Sequence, residues 1–245
     1  ARQARQRINQ VKRQRGFVGA AEALGEARQA DPETMEAPFS WWSPDTVFAP
    51  RPTEEVITVV SGLPRSGTSL MMQMLEAAGL AAMTDAVREA DTNNPKGYYE
   101  YEPVKQLGQG PADWLDSARG RSVKIIAQLL PRLPKTHGYR VIFMLRDLDE
   151  VVLSQTTMLE RLKRAGAGVT QDRMRRIFEG QLLQVSRVLQ ERGIPLLLVQ
   201  HADCLKAPQK VAAQLERFLG VELDTAAVAG IVDPRLYRSQ TEHLE

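Results

Sequence analysis

The sequence predicts an α/β fold of the three-layer P-loop type, in which helices cover both faces of a mostly parallel central sheet. Short apolar segments bounded by turn residues alternate with longer segments of helical periodicity along the chain. A glycine-containing loop follows the first apolar segment at Gly62 and leads directly into a helical pattern. Alternation of this kind favours parallel βαβ units, because a crossover helix is the usual connection between parallel strands.

The predicted strands are short, apolar or β-branched and lack polar alternation, which is typical of strands buried on both faces. They cover residues 56–60, 122–126, 140–145 and 194–199. The first predicted helix has apolar residues at helical spacing before Gly79, namely Leu70, Met71, Met74, Leu75 and Ala78. Further helical patterns cover about 147–165, 171–191, 207–219 and 223–231. Residues that follow the strands are the candidates for function, since ligands bind beyond the carboxyl ends of such sheets.

The composition is that of an ordinary globular chain and excludes several classes of protein. Of the 245 residues, 43% are hydrophobic and 25% are charged, which argues against disorder, collagen and coiled coil. The single cysteine, Cys204, excludes an internal disulfide, and His137, His201 and His243 have no zinc-site spacing, so no metal is expected. The net charge of +2 gives no overall field that would attract nucleic acid.

The chain divides into an N-terminal segment, 1–54, and a predicted catalytic domain, 55–245. Residues 1–15 carry six basic residues and no acidic one, which is typical of a solvated or linker helix and also compatible with a nucleic-acid or membrane arm. The following extended segment contains Trp41 and Trp42, which we expect to fill the core rather than to bind a ligand. No stretch is long and apolar enough for a membrane span. We therefore expect a cytoplasmic protein. The chain begins at Ala1 without a methionine, which is compatible with a further domain before residue 1.

The loop after the first strand has the frame of a P-loop. Gly62 and Gly67 stand five residues apart, after a strand and before a helix, so that backbone N–H groups and the positive helix end face a phosphate or sulfate. The nucleotide motif GxxxxGK[ST] requires lysine where Thr68 stands. A cation instead lies within the loop at Arg65. The alternative is a turn that only joins strand to helix.

The segment 64–69 resembles the 5′-phosphosulfate loop of sulfotransferases that use 3′-phosphoadenosine 5′-phosphosulfate (PAPS). The Pro-Arg form of the loop is similar to that of tyrosylprotein sulfotransferases and many bacterial relatives. The resemblance implies PAPS as cofactor without a metal, Arg65 at the bridging oxygen, and loop amides around the 5′-phosphate. The implied cofactor-binding residues of the loop are Pro64, Arg65, Ser66, Gly67, Thr68 and Ser69.

Arg146 and Ser154 resemble the family's 3′-phosphate site. The arginine ends a predicted strand, and the serine follows eight residues later in the next helix. A guanidinium grips phosphate with two parallel hydrogen bonds, and the serine hydroxyl adds another. The alternatives are a salt bridge from Arg146 to Asp149 or Glu150 and a solvated Ser154 on the helix surface.

Lys124 lies in an otherwise apolar strand, where a buried ammonium is costly. It resembles the family lysine that steadies the transferring sulfuryl group, the alternative being a surface or ion-paired lysine. The family's C-terminal Tyr and Glu are replaced by His201 and Ala202, and no loop of the RKGxxGxW type appears near the C-terminus. The resemblance covers about 55–238.

The general base is the least determined part of the predicted site. Cytosolic small-molecule sulfotransferases have a histidine where Ile126 stands, and His137 precedes a strand, so we expect it to be an exposed loop residue. Tyrosylprotein sulfotransferases use a glutamate about twenty residues after the loop arginine, which corresponds here to Asp85 or Glu89. The alternative for each is helix capping or solvation. The turn-rich segment 93–102 is either an acceptor-facing loop or a plain connection.

The predicted reaction is in-line transfer of the sulfuryl group from PAPS to a hydroxyl or amine of a small-molecule or peptide acceptor. Arg65 and Lys124 are the predicted stabilisers of the transition state. One alternative is an atypical P-loop kinase or NTPase, in which Asp147 takes the place of a magnesium-binding aspartate. Another is a nucleotide-binding module without catalysis. The sulfotransferase prediction requires Arg65 and Arg146 to lie close enough to share one nucleotide.

Overall fold

The computed structural model describes residues 37–46, 48, 52–85, 99–161 and 169–232. Their centre is a five-stranded sheet in which every pairing is parallel. The strands are β1 (Val56–Gly62), β2 (Ala82–Met83), β3 (Ser122–Lys124), β4 (Gly138–Leu145) and β5 (Leu196–Gln200), in the spatial order β2-β3-β1-β4-β5. The predicted α/β fold with a mostly parallel sheet is confirmed.

The order of the strands reverses its direction beside β1. The chain runs from β1 to the edge strand β2, returns to β3, and then crosses β1 to reach β4 and β5. In open α/β sheets, ligands bind at such a reversal, beyond the carboxyl ends of the strands. The loop after Gly62 and the residues after Leu145 both lie at this edge, since β1 and β4 pair with Gly62 opposite Met144.

Seven α-helices surround the sheet within the described residues. They are α1 (Thr68–Ala77), α2 (Trp114–Ser117), α3 (Leu148–Arg161), α4 (Gln171–Glu191), α5 (His201–Lys206), α6 (Pro208–Leu219) and α7 (Thr225–Gly230). Short 3-10 turns cover Thr53–Glu55, Glu102–Gln106 and Ala127–Arg132. In this part of the chain no helix has the length and apolar character needed to cross a bilayer.

Two apolar cores lie on opposite faces of the sheet, because side chains of a strand alternate between its faces. Ile57 and Val59 of β1 belong to the core shared with α3 and α4, whereas Val60 belongs to the core shared with α1 and α6. The two cores make the three layers that the sequence predicts. They also bury α1 and α3, the helices that follow the loop and Arg146, against the sheet.

The segment 37–46 packs on the core beside α4. Phe39 is buried against Phe143, with 5.1 Å between the ring centres. The backbone N–H of Phe39 and the indole N–H of Trp41 both donate to Ser186 Oγ, at 2.7 and 2.9 Å. The indole N–H of Trp42 donates to the carbonyl of Leu196 at 2.8 Å. As expected, the tryptophans pack on the core. The basic segment 1–15 lies outside the described residues.

Candidate active site

The loop between β1 and α1 is packed tightly against the elements around it. A Cβ atom at Gly62 would lie 2.3 Å from Ser66 Oγ and 2.8 Å from the carbonyl oxygen of Met144. A Cβ atom at Gly67, whose φ is 96°, would lie 2.5 Å from Cδ2 of His201. Neighbouring atoms thus approach the backbone so closely at both glycines of the P-loop frame that a side chain would not fit. Arg65 adopts a φ of 67°, a left-handed conformation that is rare for a side-chain-bearing residue.

The loop leads directly into the first turn of α1, and its own hydrogen bonds are formed by Ser66. The N–H groups at a helix start have no acceptor within the helix and carry the positive end of the helix dipole. Ser66 is buried, and both its backbone N–H and its hydroxyl donate to the carbonyl of Leu63, at 3.2 and 2.8 Å. The hydroxyl of Ser66 is thereby used to fold the loop. A loop that ends at a helix start is a position where backbone amides can hold an anion.

Arg65 and Ser154 are in direct contact. Nε of Arg65 donates to Ser154 Oγ at 3.1 Å, although the residues are 89 positions apart. Ser154 is 8% exposed on the inner side of α3, so it is not a solvated helix residue. Its oxygen accepts this bond, and a serine hydroxyl that accepts a hydrogen bond can also donate its proton to another acceptor.

Arg146 is held between the loop and α3. Its Nη1 donates to the backbone carbonyl of Arg65 at 3.1 Å, and its Nε donates to Glu150 Oε2 at 2.7 Å. The side chains of Arg146 and Glu150 are each 9% exposed. The alternative predicted for Arg146, a salt bridge, is therefore present with Glu150, whereas Asp149 pairs with Arg175 on α4. The structure brings Arg65 and Arg146 side by side.

Lys124 reaches the same loop from the neighbouring strand. It pairs in register with Val60, and its Nζ donates to Ser69 Oγ at 3.4 Å. The side chain crosses from β3 to the first turn of α1, so Lys124 is not a plain surface lysine. Lys124 and Arg146, the latter paired with Glu150, thus lie beside the loop that carries Arg65.

His201 lies against the loop at Gly67, a position that the sequence analysis did not predict. It begins α5 directly after β5, is 9% exposed, and faces Gly67. Its pKa is lowered to about 4, mainly by burial and to a smaller extent by repulsion from Arg146, while Glu150 opposes the shift. The imidazole is therefore neutral near pH 7. Its position right after a strand end was the signal that could have identified it.

Asp85 lies at the same edge of the sheet, just beyond β2. Its Oδ2 accepts a hydrogen bond from the backbone N–H of Glu102 at 2.6 Å, so the carboxylate anchors the Glu102–Gln106 turn. Glu89 and residues 93–98 of the predicted acceptor-facing loop lie outside the described residues.

Asp147 caps α3. Its Oδ1 accepts from the backbone N–H groups of Asp149 and Glu150, both at 3.0 Å. Such bonds stabilise a helix start, and they occupy this carboxylate oxygen as a helix cap. In the described ranges, no group of three or more His, Cys, Asp or Glu side chains could hold a metal ion.

His137 lies at the opposite edge of the sheet, before β4. Its Nε2 hydrogen bonds with Asp116 at 3.2 Å and its Nδ1 with Thr136 at 2.9 Å. The side chain is only 12% exposed and lies near the Tyr139 ring, so the prediction that it is an exposed loop residue was wrong. Local hydrogen bonds and ring packing cover it.

No protein-family model and no curated protein sequence matches the chain. Solved structures similar to it include bacterial sulfotransferases. Sulfotransferase STF9 from Mycobacterium avium is 17% identical, with a TM-score of 0.46 over 74% of this chain and 67% of that chain. The sulfotransferase from Alicyclobacillus acidocaldarius is 16% identical, with a TM-score of 0.40 over 77% of this chain and 89% of that one. The sulfotransferase domain of the Synechococcus PCC 7002 olefin synthase is 16% identical, with a TM-score of 0.39 over 76% and 81%.

Proposed function

We propose that this chain is a PAPS-dependent sulfotransferase. The observation that carries the proposal is the contact of Arg146 with the carbonyl of Arg65, together with the contact of Arg65 with Ser154. The two motifs were predicted separately from the sequence, 81 positions apart, and they meet at one loop. This is the arrangement that a nucleotide with a phosphate at each end of its ribose requires.

In the proposed complex, the amides of residues 64–69 and the start of α1 hold the 5′-phosphosulfate. Arg146 and Ser154 hold the 3′-phosphate. The Ser154 hydroxyl accepts from Arg65 and can still donate its proton to a phosphate oxygen. Arg146 is oriented by Glu150 and the Arg65 carbonyl, so its plane is set before the ligand arrives.

The reaction is a displacement at sulfur. The acceptor oxygen or nitrogen forms a bond to sulfur while the bond from sulfur to the bridging phosphate oxygen breaks, and the acceptor proton passes to a base. Adenosine 3′,5′-bisphosphate (PAP) leaves with the electron pair of the broken bond. Arg65 and Lys124 stabilise the negative charge that spreads over the transferring group. Because phosphate is already a good leaving group, the step requires no metal.

Asp85 and Glu89 remain our two candidates for the base. Asp85 is at the correct edge of the sheet, one strand beyond Lys124, which supports its candidacy. Its bond to the Glu102 amide uses one carboxylate oxygen, Oδ2. A small-molecule or peptide acceptor with a hydroxyl or amine would enter from this edge.

Two features count against an ATP-dependent kinase. Thr68 stands where a lysine would reach the β- and γ-phosphates, and Asp147 is committed to capping α3 rather than to a magnesium ion. The non-catalytic alternative predicts the same ligand binding as the transferase but no transfer.

Calorimetric titration of the protein with PAP, and separately with ATP and Mg²⁺, tests the proposal. We expect metal-free binding of PAP, weakened more than about tenfold by Arg146→Ala, the scale of a lost charge-assisted bidentate contact. Arg175→Ala is the matched control, since it removes an arginine that pairs with Asp149 at the exposed surface of α3. Metal-dependent binding of ATP without binding of PAP would overturn the proposal. Transfer of radiolabelled sulfate from PAPS to a panel of acceptors then separates the enzyme from a binding module.

A further inference from the structure

We propose that Glu150 is a positioning residue that fixes the Arg146 guanidinium for the donor's 3′-phosphate, an inference that rests on the proposed function. Glu150 lies four residues after Arg146, in the first turn of α3, the helix that follows it. The pair is short, with 2.7 Å between Nε and Oε2, and both side chains are nine-tenths buried. Surface pairs of this spacing are weakly ordered, whereas this one is enclosed by protein.

The guanidinium is fixed at two points. Glu150 holds Nε, and the backbone carbonyl of Arg65 holds Nη1. Two bonds to different nitrogens of a planar group set both its position and its plane. A free arginine would lose several side-chain rotations on binding phosphate, which weakens binding; a fixed one has already lost them.

Glu150 is itself set in place by the cap of α3. Asp147 Oδ1 accepts from the backbone N–H of Glu150 at 3.0 Å, which holds the first turn of the helix. Asp149 shares this cap, yet its side chain is directed to Arg175 at the surface. Of the two carboxylates that follow Arg146 most closely on α3, the buried one is therefore the one bonded to Arg146.

Glu150 has two opposing effects on a bound phosphate. Its hydrogen bond orients Arg146 and favours binding, whereas its negative charge repels the phosphate and disfavours binding. The proposal holds that orientation is the larger effect. Two substitutions separate the effects: Glu150→Gln removes the charge and keeps an acceptor at the same reach, and Glu150→Asp keeps the charge and draws the acceptor back by one methylene.

The test compares binding of PAP with binding of 5′-AMP, which lacks the 3′-phosphate. The measured quantity is the ratio of their affinities, so a general loss of loop structure cancels. We expect Glu150→Asp to lower the ratio about tenfold, since misplacement by about 1 Å is costly at such sites, and Glu150→Gln to keep it within about threefold of the parent. Asp149→Asn is the control and leaves the ratio unchanged.

Each outcome decides the matter. A parent-like ratio in Glu150→Asp, or a lower ratio in Glu150→Gln than in Glu150→Asp, overturns the positioning role. Lower thermal stability in either variant with an unchanged ratio also overturns it, since that result describes a structural ion pair only. A parent protein that does not prefer PAP over AMP overturns the proposed function, and the Glu150 role with it. The parent ratio therefore distinguishes the two failures.

Discussion

The backbone carbonyl of Arg65 accepts a hydrogen bond from Nη1 of Arg146 at 3.1 Å, across 81 positions of the chain. Arg65 adopts a left-handed φ of 67°, which costs a residue with a side chain about 1–2 kcal/mol. The bond from Arg146 helps to hold Arg65 in that conformation. The arginine assigned to the 3′-phosphate thus also shapes the loop assigned to the 5′-phosphosulfate, and the two subsites are one connected structure.

Lys124→Met should separate transfer from product binding. The ammonium is bonded to Ser69 and is assigned to the transferring sulfuryl group, which PAP lacks. We expect kcat for sulfate transfer to fall about 10²-fold, the scale of one lost electrostatic stabiliser, while the affinity for PAP changes less than about threefold. Steady-state kinetics and calorimetry measure the two quantities. A parallel loss of both would assign Lys124 to ground-state binding instead.

Asp85→Asn and Glu89→Gln should identify the base. An asparagine at 85 keeps an oxygen that can accept from the Glu102 N–H, so the local turn is retained while the basic group is lost. We expect one of the two variants to lower kcat by about 10²-fold or more under acceptor saturation. Asp116→Asn, at the opposite edge beside His137, is the control. Full activity in both variants would place the base in another segment.

His201→Gln should reduce the loss of stability at acid pH. The unfolded chain takes up a proton at this residue below about pH 6.5, whereas the folded protein does so only below its pKa of about 4. Protonation in this window therefore favours the unfolded state, and stability falls as the pH drops from about 6.5 to 4, by on the order of 3 kcal/mol.

The neutral glutamine removes that contribution. Urea unfolding at pH 7 and at pH 4.5 should show a smaller difference for His201→Gln than for the parent. Equal differences in the two proteins would mean that His201 titrates at its ordinary pKa and is not buried as described.

Gly67→Ala should be more destabilising than Gly79→Ala. Both glycines have a positive φ, but only at position 67 would the added Cβ meet another group, Cδ2 of His201 at 2.5 Å. Left-handed strain costs about 1–2 kcal/mol at either position, and overpacking adds about 1–3 kcal/mol at Gly67. Urea denaturation measures both. Combination with His201→Ala should recover part of the loss at 67, and no recovery would mean that strain alone is responsible.

The sequence predicted that Arg65 and Arg146 lie at the same edge of the sheet, because each follows a strand of a parallel sheet. Their proximity was only what the resemblance required, since the strand order that places β4 beside β1 was not predicted. The edge strand β2 was not predicted, because two residues carry no periodic signal. The sequence analysis left the roles of Asp85 and Glu150 open. A carboxylate near an arginine or a helix start can cap the helix, form a salt bridge or act in catalysis, and the sequence does not distinguish these roles. The burial of His201 depends on a glycine 134 positions away, which no local pattern contains.

The double use of Ser186 Oγ by Phe39 and Trp41 has a practical consequence for anyone shortening this protein. A chain that begins at residue 55 would match the domain boundary predicted from the motifs. It would, however, expose the ring of Phe143 and remove the two hydrogen bonds that Ser186 of α4 accepts. Recombinant fragments intended for crystallography or assay should therefore begin no later than residue 37, so that Phe39, Trp41 and Trp42 still pack on the core.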